Sequence, residues 1–152
     1  MTIEDSAGYE LIDALLTVDL PIRGVVDIAY PLFRRHYGRP LFALAAELLT
    51  EAVHPGDTVV LATGFPNRIR VDPGIAESDG PVGAASMARA FELGLGAAPI
   101  IMVEESIVAG TVAALHALGL RRVTPEQAVA SASMDSNLHA VAVVPSPMDP
   151  DE

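Results

Sequence analysis

The chain has no cysteine, and its nine basic residues are all arginines, so lysine is absent too. Without cysteine there is no disulfide framework, no thiolate nucleophile and no cysteine-ligated metal. Without lysine, the phosphate loop G-x-x-x-x-G-K-[ST] cannot be completed. Aromatic residues are scarce, at 5%, while alanine is abundant, a combination suited to close packing of helices on a sheet. Positive charge is sparse: 20 acids against 9 bases leave a net charge of -11. No arginine stripe is present to neutralise phosphates, so nucleic acid is excluded as a partner. The longest apolar runs, such as residues 97–103, are too short to span a bilayer, so no membrane partner is expected. The opening M-T-I-E-D-S-A-G-Y-E lacks the basic start and apolar core of a signal peptide. A cytoplasmic protein is expected.

At 152 residues and 51% hydrophobic, the chain is long and apolar enough to bury a core of its own. Residues 3–18 carry apolar side chains at helical spacing, with Ile3, Leu11, Ile12, Leu15 and Leu16 as the expected inner face and Pro21 as the stop. Residues 23–40 read as a short apolar segment followed by a loop or arm. Residues 41–53 form a clear helical pattern closed by H-P-G-D. The β-branched run T-V-V-L-A-T at residues 58–63 suits a strand buried on both faces of a parallel sheet. A long loop over residues 64–80 follows, and loops of that length in compact domains are usually functional or mobile.

Helices are expected at 82–93, 106–118 and 125–132, and strands at 98–103, 121–123 and 138–144. Strands alternating with helices predict an α/β fold: a mainly parallel sheet with helices on both faces, in a single domain over residues 1–144. Residues 145–152, P-S-P-M-D-P-D-E, form a Pro-rich acidic tail. Such sheets bind ligands beyond the carboxyl ends of their strands. T-G-F-P after the first strong strand, E-E-S after the second and V-P-S after the last would share that edge.

Three stretches carry candidate chemistry. In T-G-F-P-N-R (residues 63–68), Gly64 allows close approach of backbone to a ligand, and Arg68 or Arg70 suits a carboxylate or phosphate. An ordinary turn with solvated arginines fits the same residues. In E-S-D-G-P-V-G (residues 77–83), Ser78 or Asp79 suits a helix N-cap and Pro81 the first turn. Capping leaves Glu77 and the glycines Gly80 and Gly83 unexplained, and a carboxylate pair beside a bare helix start suits acid/base work or an ammonium group. Glu104 and Glu105 end the second strand, and alternation aims one of them at the cleft unless both are solvated acids opening a helix. His36, His54, His116 and His139 lack ligand spacing, so no metal is expected, and the sequence requires no cofactor.

The block T-G-F-P, a variable loop, E-S-D-G-P-V-G-A and A-R-A-F-E-L-G resembles the D-glutamate cyclase family, the domain formerly of unknown function with T-G-F and E-T-D-G-P-P-G-A motifs. Thr63, Gly64, Phe65, Glu77, Asp79, Gly80, Pro81, Gly83 and Ala84 match it. Ser78 replaces a threonine and Val82 a proline, and Arg23 and Gly24 match an R-G pair. The resemblance is specific over residues 63–94 and covers the N-terminal part of the family pattern. It implies conversion of D-glutamate to 5-oxo-D-proline and water, or a related reaction on a small amino or carboxylic acid. Glu77 and Asp79 are then the catalytic candidates, with Thr63, Gly64, Phe65, Arg68, Ser78, Gly80, Pro81 and Gly83 binding substrate.

The family's I-E-R-x-G-like segment and its G-D-G-G-N-E motif have no counterpart in the sequence. The expectation is a carbon–oxygen lyase subunit active only with a partner, either a second polypeptide in a hetero-oligomer or another copy. The alternative is a non-catalytic small-ligand-binding or structural subunit.

Overall fold

The computed structural model describes residues 3–18, 24–64, 71, 79–132 and 138–146. The chain divides into two compact units, Met1–Ala52 and Val53–Glu152.

The first unit holds three helices, α1 (Ile3–Leu16), α2 (Val25–Tyr37) and α3 (Leu41–Ala52). Its organising contact is one carboxylate. Asp13 is only 3% exposed. It accepts the backbone N–H of Leu41 at 2.7 Å and of Phe42 at 2.8 Å, and the hydroxyl of Tyr30 at 2.8 Å. Leu41 and Phe42 open α3, where the first N–H groups have no partner inside the helix. Pro40, just before them, offers no side-chain acceptor, so the cap comes from 28 residues upstream. Tyr9 and Phe42 pack nearby with ring centroids 6.2 Å apart.

This cap turns α1 relative to the expected face. Asp13 is buried and Tyr9, Ile12 and Thr17 are partly buried, an i, i+3, i+4, i+8 stripe, whereas Leu11, Leu15 and Leu16 are exposed. The side chain of Ile3 lies outside the described residues. Residues 23–40 also differ from the expected short apolar segment followed by a loop or arm: residues 25–37 form one helix that runs through Pro31. A proline there removes one backbone bond. Left-handed glycines bound the helix at both ends, Gly24 (φ 70) and Gly38 (φ 69), and the N–H of Gly38 donates to Arg34 O at 3.0 Å.

The second unit is a four-stranded, all-parallel sheet with helices packed on it, the expected α/β fold. Its elements are β1 (Thr58–Ala62), α4 (Asp79–Leu95), β2 (Ala98–Val103), a 3-10 turn (Glu105–Ile107) running into α5 (Val108–Ala117), β3 (Arg121–Val123), α6 (Pro125–Ala132) and β4 (Ala140–Pro145). The strand order is β1-β2-β4-β3, with Val60 beside Ile100, Ile101 beside Val143 and Val123 beside Ala142. Crossovers between parallel strands are right-handed. The steps β1 to β2 and β2 to β3 run one way across the sheet and put α4 and α5 on the same face, where they pack together. The step from β3 back to β4 reverses direction and puts α6 on the other face, against β4 and β2.

The core lies between the sheet and α4/α5. Pro81, Ala84, Ala85, Ala88 and Phe91 form the buried stripe of α4. Three alanines in that stripe bring the helix close to Ile101, Val103, Val141 and Val143, with Leu115 and Leu120 completing the cluster. The central strands β2 and β4 are buried almost throughout, whereas β1 is an edge strand with Val60 58% exposed. The run at 58–63 was expected to be covered on both faces. Its β-branched composition specifies a strand but not its place in the sheet order.

The Asp13 cap has a pH signature. Burial pushes its carboxyl up, but the hydrogen bonds from Phe42, Tyr30 and Leu41, helped by the Arg34 charge, hold it below the usual value. A depressed folded value means stability that is present above the unfolded pKa of about 3.9 and is lost as pH falls through the folded value. Asp13→Asn puts an amide N–H where a donor already points, and is expected to cost about 1–3 kcal/mol at pH 7. In urea unfolding followed by helical circular dichroism, that gap from the wild type should narrow below about pH 4. A gap independent of pH would mean that the charge of Asp13 does not hold the unit.

Candidate functional site

The carboxyl end of β1 and the amino end of α4 meet at the sheet edge. Thr63 continues the β1 ladder by donating its N–H to Met102 O at 3.0 Å. Gly64 then turns with φ +90 and is buried against β2 and the following turn. A Cβ at Gly64 would lie 3.3 Å from Val103 Cβ and 3.4 Å from Ile107 Cδ1. Glycine is therefore required there twice, by its backbone and by its neighbours.

Gly80 has a different reason. A Cβ on it would meet Thr63 Oγ1 at 2.6 Å, so the first turn of α4 rests on the end of β1. Gly83 has no such neighbour within 4 Å, and it is exposed in a helix that alanine would favour. Packing explains Gly64 and Gly80; it does not explain Gly83.

An open cleft of about 390 Å³ lies over this junction, lined by Val60, Leu61, Ala62 and Thr63 from the strand side and Asp79, Gly80, Gly83, Ala84 and Met87 from α4. Asp79 is the first residue of α4 and is exposed. In the first turn of the helix, Asp79 and Gly80 carry N–H groups without helical acceptors, while Pro81 has none to offer. The cleft therefore combines one carboxylate, one hydroxyl and the positive end of a helix dipole on an otherwise apolar wall.

Among the expected site residues, Thr63, Asp79, Gly80 and Gly83 are brought together. Gly64 and Pro81 are buried in the packing beside the cleft and do not line it. Phe65, Arg68, Glu77 and Ser78 lie outside the described residues. The wall residues Val60, Ala62 and Met87 were not anticipated. Spacing alone carried the signal: 80, 83, 84 and 87 share one helix face, and 60 and 62 share one strand face. At the next strand end Glu104 is half-buried and Glu105 exposed at the head of the 3-10 turn.

Among the described residues no three His, Cys, Asp or Glu side chains converge on a possible metal site, and no helix is long and apolar enough to cross a membrane. His139 Nδ1 sits 3.1 Å from Glu92 Oε1 and His54 Nδ1 3.5 Å from Asp57 Oδ2. Both histidines precede strands, at the amino edge, away from the cleft.

The glycine assignments are testable by urea unfolding. Gly80→Ala is expected to cost about 1–3 kcal/mol through overpacking, and Thr63→Ala should recover part of that loss in the double variant. Gly83→Ala is expected to stabilise by about 0.5–1 kcal/mol, since its Cβ enters open space. Equal losses from the two alanines would refute the distinction.

Residues 15–151 match the family model described as D-glutamate cyclase-like, C-terminal. That match extends well beyond the block at 63–94 that carries the visible motifs. No curated protein and no solved structure matches the chain significantly. With nearly the whole chain inside the family model, the protein belongs to the D-glutamate cyclase-like, C-terminal family.

Proposed function

We propose that the chain is the subunit of a D-glutamate-cyclase-like lyase that carries the β1–α4 half of the site, in the cytoplasm, and that a partner chain completes it. The observation that carries this reading is the convergence of Thr63, Asp79, Gly80 and Gly83 on one cleft in a chain of this family. The substrate is D-glutamate or a related small amino or carboxylic acid.

The reaction makes specific demands. The α-ammonium of D-glutamate loses a proton, and the freed amine attacks the γ-carboxyl carbon. A C–N bond forms, a C–O bond breaks, and the departing oxygen leaves as water, giving 5-oxo-D-proline. A carboxylate is needed for the ammonium proton, and fixed donors are needed for the oxyanion that develops on the attacked carbon. Asp79, with Glu77 two residues before it, supplies the carboxylate chemistry. The N–H groups at the start of α4 and the Thr63 hydroxyl supply donors. Gly83, bare without a packing reason, leaves room for substrate against the helix backbone.

A second reading has its own support. Gly80 is already required by its contact with Thr63, so part of the motif serves the fold. A non-catalytic ligand-binding or structural subunit would keep that part.

The deciding experiment measures 5-oxoproline formation from D-glutamate by the purified chain, alone and with co-purifying proteins. Turnover is expected in the complex, with Glu77→Gln and Asp79→Asn each lowering kcat by about 10²-fold or more. No turnover in either preparation sinks the cyclase reading for this substrate. Variants that lose stability while keeping ligand affinity favour the structural one.

A further inference from the structure

A second opening lies at the other end of the same sheet edge. A cleft of about 430 Å³ sits where β3, β4 and the start of α6 meet, and its lining includes Arg122, Val123, Thr124, Gln127, Val144 and Pro145. Its place in the fold is significant. β2 feeds a helix on one face, β3 feeds a helix on the other, and β4 ends between them. In open parallel sheets ligands bind where the connections diverge in this way.

The cleft contains a cation held in position. β3 pairs with β4 only as far as Val123 beside Ala142. Beyond that point Arg122 reaches across, and its Nη2 donates to Val143 O at 3.1 Å. One hydrogen bond fixes the guanidinium, and among the described residues most of its five N–H groups have no other acceptor. The ion pairs among the described residues are Arg34–Glu10, Arg39–Glu47, His54–Asp57 and His139–Glu92. Arg122 has no acidic partner among them. The start of α6 adds no free donor from its cap. Gln127 donates its N–H to Thr124 Oγ1 at 3.3 Å, and Thr124 donates its N–H to Gln127 Oε1 at 3.0 Å, a closed capping box. A hydrogen bond with Thr124 also holds the Glu126 carboxyl below its ordinary range. The charged group in the described lining that can meet an anion is the guanidinium.

We propose that this cleft binds a small metabolite bearing a carboxylate or phosphate on an apolar body, with Arg122 as the anion anchor. The fork of the guanidinium matches either oxyanion in two-point contact, and Val123, Val144 and Pro145 receive the apolar part. The site is separate from the β1–α4 cleft. Three strand spacings, about 14 Å in all, divide β1 from β3, so a ligand on Arg122 does not compete for Thr63 or Asp79. Binding at Arg122 is therefore measurable without reference to turnover.

The test is an amide NMR titration of the full chain at low salt, with glutarate in one series and inorganic phosphate in another. Shifts are expected at Val123, Thr124, Val143 and Val144. Arg122→Ala should weaken the apparent affinity about tenfold, and Arg122→Lys, which keeps the charge but not the fork, should weaken it less. Arg121→Ala, the neighbouring arginine on the alternate strand face, should stay within about twofold. Response to glutarate alone identifies a carboxylate site, to phosphate alone a phosphate site, and to both a general oxyanion site. Thermal unfolding checks that Arg122→Ala remains folded; if it does not, Arg122→Lys carries the comparison. No shift at these four amides with either probe, or an equal loss from Arg121→Ala, overturns the proposal.

Discussion

Parallel strands can be joined only by crossovers, and crossovers of L-residues are right-handed. That constraint organises the second unit. It places α4 and α5 on one face and α6 on the other, and it sends every strand end to the same edge. The stripe of alanines on α4 follows from it. A helix laid across central strands as bulky as Ile101, Val103, Val141 and Val143 needs a small contacting surface, and Ala84, Ala85 and Ala88 provide one. The same small stripe lowers the start of α4 onto the end of β1. At that point only a residue without a Cβ fits over Thr63 Oγ1. The cleft is thus a by-product of helix-on-sheet packing that is left open at Gly83.

The first unit obeys another constraint. Each helix start has N–H groups to satisfy, and α3 begins after a proline that cannot help. Asp13 supplies the acceptor from α1 and draws in the Tyr30 hydroxyl from α2, so one carboxylate ties the three helices together. The surface pairs Arg34–Glu10 and Arg39–Glu47 add little beside it, because exposed ion pairs are screened by water and salt.

These two constraints explain what the amino-acid order revealed and what it hid. Local patterns were legible: the β-branched run at β1, the apolar run at β2, the helical spacing of α3, α5 and α6, and the alternation that implies a parallel sheet. The loop motif was legible as well, because its residue types are rare in combination. Strand order was not, since nothing in T-V-V-L-A-T distinguishes an edge from a centre, and Val60 is exposed as a result. The face of α1 is hidden from periodicity because an aspartate counts as polar, although the hydrogen bonds of Asp13 take it inside. Pro31 makes the sequence after it look like a loop or arm, but one lost backbone bond is too small a cost to end a helix closed at both ends by glycine. Each of these misses depends on a partner distant in sequence or on a cost smaller than its compensation.

Charge gives the carboxyl edge its character. With a net charge of -11, the chain as a whole repels small acids, and a site for them must create a local exception. Backbone dipoles do this at the start of α4, where the first-turn N–H groups of Asp79 and Gly80 supply partial positive charge without requiring a basic side chain. Arg122 does it beside β4, where a hydrogen bond to Val143 O holds the guanidinium at the carboxyl edge. In a protein without lysine, these are two ways to present fixed positive charge on one edge. The first suits a reacting carboxyl group, because N–H donors tolerate a change of charge during reaction. The second suits a bound anion that does not change, because a full cation stabilises the ground state as strongly as any later one.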